Sequence, residues 1–245
     1  MIRSREIRAI LQEHVNNPVQ GDIRSQRGAD IFLGYPMDFT RKSVLRWGLA
    51  DFNNGRDHLT HGKLTADERV LLYCYFIMKG HFDTARAVFR MNQAALQSLF
   101  SANGRVLFVD IGCGPATACL ALADLLRNRT FDYVGIDSAV PMQKKAKALW
   151  EAAQRESLIG VGSTADFAEA WDDCLKRMQS DTKVLLVFSY FFASNSLTAS
   201  PMNSLVRFIS ALRDSPKVAA LVMAYMNSSA PHANEKYGWF KRLMG

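Results

Sequence analysis

The chain has 245 residues, of which 49% are hydrophobic, and a formal net charge of +7. No low-complexity tract or internal repeat interrupts it, and no run approaches the ~20 apolar residues needed to span a bilayer, which argues against an integral membrane protein. Cys74, Cys113, Cys119 and Cys174 form no CxxC pair and have no histidine at ligand spacing, so they read as reduced thiols rather than as a zinc site or a disulfide framework. The basic excess is spread over both halves, which permits a nucleic-acid partner without pointing to one.

The Arg-rich start, Met1 to Arg8, lacks the apolar core of a secretory signal, and Glu6 and Glu13 are out of place in a mitochondrial presequence. The expected location is cytoplasmic. Ser4 caps a predicted amphipathic helix over residues 4–15, which Asn16-Asn17-Pro18 should end. Residues 18–62 are rich in Gly, Asp and Asn, with short helices expected near Arg41–Phe52. Thr65-Ala66-Asp67-Glu68 is a capping box. The helix it opens runs through Val70, Leu71, Leu72, Tyr73, Tyr75, Phe76 and Ile77 to Gly80, is apolar nearly all round, and should be buried. Helices over Asp83–Met91 and Gln93–Phe100 follow. Residues 1–103 therefore read as a helical N-terminal region, a lid or a substrate platform.

At Asn103-Gly104 the pattern changes. Arg105–Asp110 is a short apolar run, as in a central parallel strand buried on both faces. A glycine turn follows, then a helix through Cys119 to Leu126. Phe131–Ile136 is a second strand ending at Asp137, with a helix from Ser138 to about Glu156. Lys144, Lys145 and Lys147 on that helix read as a solvated face. Leu158–Gly162 is a weak third strand followed by a helix over Ala165–Met178. Lys183–Phe188 is a fourth strand. Ser200-Pro201 opens another helix, Lys217–Ala224 is a fifth strand, and Tyr237 onward is a short helix. Alternation of strands and helices predicts an α/β, Rossmann-like, doubly wound, mostly parallel sheet over residues 104–245.

The chemistry concentrates in Asp110-Ile-Gly-Cys-Gly-Pro-Ala-Thr117, between a strand and a helix. Ligands of open α/β sheets bind beyond the carboxyl ends of the strands. Gly112 and Gly114 let the backbone turn tightly and approach a ligand without a Cβ. A dinucleotide site needs GxGxxG, and here the third position is Thr117. A carboxylate at Asp110 repels a pyrophosphate but suits a ligand with a positive sulfonium and amino group. S-adenosylmethionine is therefore favoured over a nicotinamide cofactor, whose enzymes remain a weaker alternative.

On Phe108-Val-Asp-Ile-Gly-Cys-Gly-Pro-Ala-Thr117, with Asp137 closing the next strand, the chain resembles the class I S-adenosylmethionine-dependent methyltransferase superfamily over residues 104–226. The resemblance implies that Asp110 serves the methionine end of the cofactor, with Gly112 and Gly114 close beneath it. It implies that Asp137 accepts from the two ribose hydroxyls, and that Asp166 and Phe167 contact adenine. The helices Glu68–Ile77 and Asp83–Phe89, and Phe188-Ser-Tyr-Phe-Phe-Ala-Ser-Asn195, also resemble the mitochondrial small-subunit ribosomal methyltransferase-like family. That likeness implies RNA, or the ribosome, as partner.

The fourth strand's carboxyl end usually faces the transferred methyl group in this superfamily. The Asn/Asp-Pro-Pro-aromatic motif of amino-group methylases is absent there, which counts against base-amino methylation and leaves the acceptor open. Tyr190 and Asn195 are candidates to orient an acceptor, and His232 a candidate general base. The usual fold adds two strands after the fifth, so a five-stranded sheet would expose an edge for a second copy or a partner subunit. This departure keeps a second function in view: a non-catalytic interaction or assembly protein on a methyltransferase fold.

Overall fold

A computed structural model describes residues 4–50, 52, 64–101, 105–171, 174–175, 178–195 and 197–245. Five short runs, mostly apolar, form the sheet: β1 (Val106–Ile111), β2 (Asp132–Ile136), β3 (Thr164–Ala168), β4 (Thr182–Ser189) and β5 (Val218–Met226). All pairings are parallel, in the order β3-β2-β1-β4-β5. Every residue of β1 is buried, as its unbroken apolar character requires of a strand covered on both faces. The chain thus has the expected Rossmann-like, doubly wound sheet with a helical N-terminal region. The order reverses beside β1, and open α/β sheets hold their ligands outside the carboxyl ends of the strands at such a point, here β1, β2 and β4.

Alternate residues of β1 feed two cores. Phe108 packs toward α5 (Thr117–Leu126) and α6 (Val140–Arg155), together with the N-terminal helices. Leu107, Val109 and Ile111 pack toward α7 (Ala199–Arg213) and α8 (Glu235–Met244). The N-terminal region begins with α1 (Arg5–Leu11), capped by Ser4 as expected. It does not stop at Asn16-Asn17-Pro18. A wide π turn over Gln12–Asn16 leads into Asn17–Gln20, with Pro18 in the first turn, where a missing N–H costs little. A two-residue hairpin, Ile31–Phe32 with Tyr35–Pro36, and short turns over Thr40–Val44 and Arg46–Gly48 follow. Residues 51 and 53–62 of the Gly-, Asp- and Asn-rich stretch lie outside the described residues, as does the expected boundary at 103–104.

The capping box forms as the sequence requires: Glu68 N–H donates to Thr65 Oγ1 at 3.2 Å and Thr65 N–H to Glu68 Oε2 at 2.7 Å. The helix does not end at Gly80, however. α2 (Ala66–Tyr73) passes through a π turn at Cys74–Met78 directly into α3 (Lys79–Met91). Burial of Phe82, Ala85 and Phe89 on one face outweighs the roughly 1 kcal/mol helix penalty of the glycine. α4 (Gln93–Ser101) leads to the sheet.

The N-terminal region is pinned to the sheet domain by charge as well as by packing. Arg86 Nε lies 2.5 Å from Asp124 Oδ2, whose side chain is 2% exposed. Lys144 pairs with Asp67, and Lys145 Nζ donates to the His14 carbonyl at 3.1 Å. The lysine cluster of α6 is therefore partly a staple to the N-terminal helices, a role invisible in the local charge pattern.

The third strand is displaced from its expected position. Leu158 and Ile159 are buried, but Ile159 makes only an isolated bridge to Arg129, and Gly162 turns the chain at φ +87°. The apolar run is a buried turn. The strand proper is Thr164–Ala168, where a helix was expected to start, and its less apolar sequence suits an edge. Residues 172–173 and 176–177 of that expected helix lie outside the described residues. At the opposite edge β5 has a neighbouring strand on one side only among the described residues, and Met223 stands 51% exposed.

Candidate functional site

The glycine turn is tied to the tip of β2. Gly112 and Cys113 donate their amides to the Ile136 carbonyl at 2.8 and 3.0 Å. The Gly114 amide donates to Asp137 Oδ2 at 2.9 Å, and the Ala139 amide to Asp137 Oδ1 at 2.8 Å. Asp137 thus clamps the turn to the start of α6. An ionised carboxylate has about four acceptor positions, so each oxygen retains one for a ligand. Gly112 and Gly114 have φ of +71° and +51°, in the left-handed region that favours glycine. Ala116 shares that conformation at φ +58° as it opens α5, a strain of the kind that gathers at ligand sites.

Asp110 is buried one residue before the end of β1. Tyr133 donates its hydroxyl to Asp110 Oδ2 at 3.1 Å, whereas Oδ1 is buried without a hydrogen-bond partner. Burial pushes the Asp110 carboxyl up to about 7, and the nearby Asp137 charge adds to the rise despite the Tyr133 hydrogen bond. Asp137 is also raised by burial, against the lowering effect of its two amide donors. The two acids are therefore electrostatic neighbours at adjoining strand ends. Asp137 retains some exposed surface; Asp110 is sealed beneath Tyr133 and Cys113.

The two glycines differ in what faces them. Nothing lies within 4 Å of where a Cβ on Gly114 would stand. At Gly112 that point is 2.9 Å from Cδ2 of Phe191, so the Phe191 ring occupies the space above the first glycine. Phe191 was not singled out from the sequence. It follows Tyr190, whose φ of +59° turns the chain sharply at the tip of β4.

Tyr190 joins a cluster that the sequence did not reveal. Its ring stacks on His81 with centroids 3.6 Å apart, and its hydroxyl donates to Thr84 Oγ1 at 3.3 Å. His81 Nδ1 lies 2.9 Å from the Tyr73 hydroxyl. Tyr73 and His81 are eight residues apart, a spacing that leaves an ideal α-helix about 80° out of phase. The intervening π turn inserts one residue, so the pair behaves as i, i+7 and shares a face. Burial holds His81 down to about 4, so it is neutral near pH 7, and it holds the Tyr73 hydroxyl well above its ordinary range. The Asp137 charge acts on Tyr73 in the same direction, which locates the cluster beside the glycine turn.

The other sequence candidates lie apart from this cluster. Asp166 and Phe167 sit within β3, paired with Val134 and Gly135, rather than beyond its tip, which carries Glu169 and Ala170. Phe167 packs edge-on to Tyr133 at 5.8 Å. Asn195 and His232 are exposed, on the loop after β4 and on the short helix Pro231–Asn234. Among the described residues no hydrogen bond joins either to Tyr190. Near His232, Tyr225 donates to Asn234 and stacks on Tyr237 at 3.7 Å, while Asn227 donates to the Ala233 carbonyl at 2.6 Å. These bonds fasten α8 against the end of β5.

No family model matches the chain, and no curated protein matches it in sequence. Solved structures that resemble it include a precorrin-6y C5,15-methyltransferase from Geobacter metallireducens, at 14% identity and TM-score 0.35, over 62% of this chain and 69% of that one. An S-adenosyl-L-methionine-dependent methyltransferase from Methanococcus maripaludis matches at 13% identity and TM-score 0.37, over 72% and 71% of the two chains. Magnesium protoporphyrin IX methyltransferase from Synechocystis PCC 6803, with S-adenosylhomocysteine bound, matches at 18% identity and TM-score 0.37, over 76% and 68%.

Proposed function

We propose that the chain binds S-adenosylmethionine at the tips of β1 and β2 and is a methyltransferase. The observation that carries this reading is the Asp137 clamp: one carboxylate holds both the Gly114 amide and the Ala139 amide and still has acceptor capacity toward the open side of Gly114. Such a group suits a ribose diol. Asp110, sealed from direct contact, adds a second acid near the site whose charged form a cationic ligand would favour. A pyrophosphate would meet two carboxylates and a turn whose Gly112, Cys113 and Gly114 amides are already engaged.

The residues fit the cofactor with one adjustment. Gly114 and Asp137 leave room on the nucleoside side, and Phe191 must leave the space over Gly112 on the methionine side. When bound, S-adenosylmethionine supplies an activated methyl group. The chain's own residues then have to hold the acceptor in line with it and exclude water. Tyr190, at the tip of β4, is positioned for the first task through its stack on His81.

Calorimetry with S-adenosylmethionine and S-adenosylhomocysteine tests the reading. Binding that Asp137→Ala weakens by at least about tenfold supports it; binding of a nicotinamide cofactor in its place refutes it. Incubation with labelled S-adenosylmethionine and fractionated RNA, protein and small-molecule pools then separates catalysis from binding alone. Two observations favour the second reading, a non-catalytic interaction protein: the Phe191 ring already fills the space over Gly112, and among the described residues no strand pairs with the outer edge of β5. Its signature is no methyl transfer to any pool.

A further inference from the structure

The cluster at the tip of β4 contains one polar group that neither the fold nor the cofactor reading uses, the outer nitrogen of His81. We propose that His81 grips the methyl acceptor by donating a hydrogen bond from Nε2, and that the acceptor presents an anionic oxygen, such as a carboxylate. This inference rests on the methyltransferase reading above.

The argument starts from the proton inventory. Among the described residues the only hydrogen-bond partner of the Tyr73 hydroxyl is His81 Nδ1, at 2.9 Å. A phenol hydroxyl is a stronger donor than a neutral imidazole N–H, so with Nδ1 as its partner it gives its proton to the ring. Nδ1 is then the acceptor of a neutral imidazole, and the ring's one proton stays on Nε2. Nε2 makes no hydrogen bond among the described residues, and the half-buried ring leaves it some exposed surface. The ring cannot turn freely, because it lies face to face with Tyr190 at 3.6 Å and 16°. Tyr190 is itself held by Thr84 and by its amide, which donates to the Met226 carbonyl at 2.9 Å. The result is a fixed N–H donor on a ring stacked against Tyr190, the residue that precedes Phe191 at the tip of β4.

A donor of this kind suits an acceptor that needs no deprotonation. The low basicity of His81 agrees, since an imidazole held down to about 4 is a poor general base at neutral pH. With a carboxylate the reaction balances without one. A carboxylate lone pair forms the new O–CH3 bond, the S–CH3 bond breaks with its electron pair remaining on sulfur, and S-adenosylhomocysteine leaves. No proton is released, and Nε2–H stays on the ring to orient the oxygen.

The full-length chain labelled with nitrogen-15 histidine provides the test, with benzoate as the probe and benzyl alcohol as its neutral counterpart. The imidazole shifts of the unliganded wild type should report the Nε2-protonated tautomer of His81. With S-adenosylhomocysteine bound, benzoate should shift the Nε2–H resonance and bind about tenfold more tightly than benzyl alcohol, as expected of a hydrogen bond to a charged group. His81→Leu should abolish that preference, and His81→Gln, which keeps a donor, should restore part of it. An Nδ1-protonated tautomer, or equal affinities for the two probes with S-adenosylhomocysteine in place, overturns the proposal and leaves the cofactor reading intact. Failure of S-adenosylhomocysteine to bind the wild type overturns both.

Discussion

Replacing Asp110 with asparagine removes a carboxyl that the fold holds protonated far above its ordinary range. The sign follows from linkage. An acid whose folded-state pKa is raised costs nothing below its unfolded value, and its cost grows as pH rises, levelling off above the folded value. From the ordinary 3.8 to about 7, the full cost reaches roughly 4 kcal/mol at high pH. At pH 5 it is about 2 kcal/mol and at pH 8 about 4 kcal/mol, so the titration contributes an increment of roughly 2 to 3 kcal/mol. The asparagine also changes the Tyr133 hydrogen bond and leaves an amide N–H in the orphan position, at about 1–3 kcal/mol, but that loss does not depend on pH. The stability of Asp110→Asn relative to wild type should therefore rise by roughly 2 to 3 kcal/mol between pH 5 and pH 8, as measured by urea unfolding at both. Binding of S-adenosylmethionine should weaken in the same variant. A stability difference that stays constant across this range would refute the account of Asp110 as a strained, buried acid.

Phe191→Ala should tighten S-adenosylmethionine binding by about five- to thirtyfold in calorimetry, because no ring then has to leave Gly112; weaker binding would mean that the ring is a contact rather than an obstacle. Gly112→Ala should be destabilised more than Gly114→Ala in thermal unfolding, since both strain a positive φ but only Gly112 meets Phe191 at 2.9 Å. Adding Phe191→Ala should recover about 1 kcal/mol of the Gly112→Ala loss but none of the Gly114→Ala loss, a coupling that a double-mutant cycle reads directly. Arg86→Ala should cost about 1–3 kcal/mol in denaturant unfolding, because it removes the nearer of the two cations beside the buried Asp124 carboxylate and leaves Arg127 at 3.9 Å; a loss below about 0.5 kcal/mol would mark the pair as dispensable.

Where a local rule and the tertiary demand agreed, the sequence was legible. The unbroken apolar run of β1 could only be a strand covered on both faces, and the Thr65–Glu68 capping box could only open a helix. The weak points were boundaries set by packing. Leu158 and Ile159 looked like a strand because they are buried, yet their burial serves a turn, and the edge strand beside it carries too few apolar residues to announce itself. Gly80 looked like a helix stop because its cost is visible locally, whereas the burial of Phe82, Ala85 and Phe89 that outweighs it is not.

For the site, the residues within one strand–turn–helix unit were readable: Asp110, Gly112, Gly114 and, one unit later, Asp137. Their spacing is dictated by covalent geometry and by the need for a backbone turn without a Cβ. The stack of His81 on Tyr190, and Phe191 over Gly112, link residues about 80 to 110 positions apart, and the first also depends on a π turn that brings Tyr73 and His81 into phase. No periodicity in the chain encodes that phase. Chain-local sterics and hydrophobic alternation were enough to specify the sheet and its glycine turn. Which side chains meet above that turn is settled by how the N-terminal helices pack against β4, because a contact distant in sequence exists only once the core is closed.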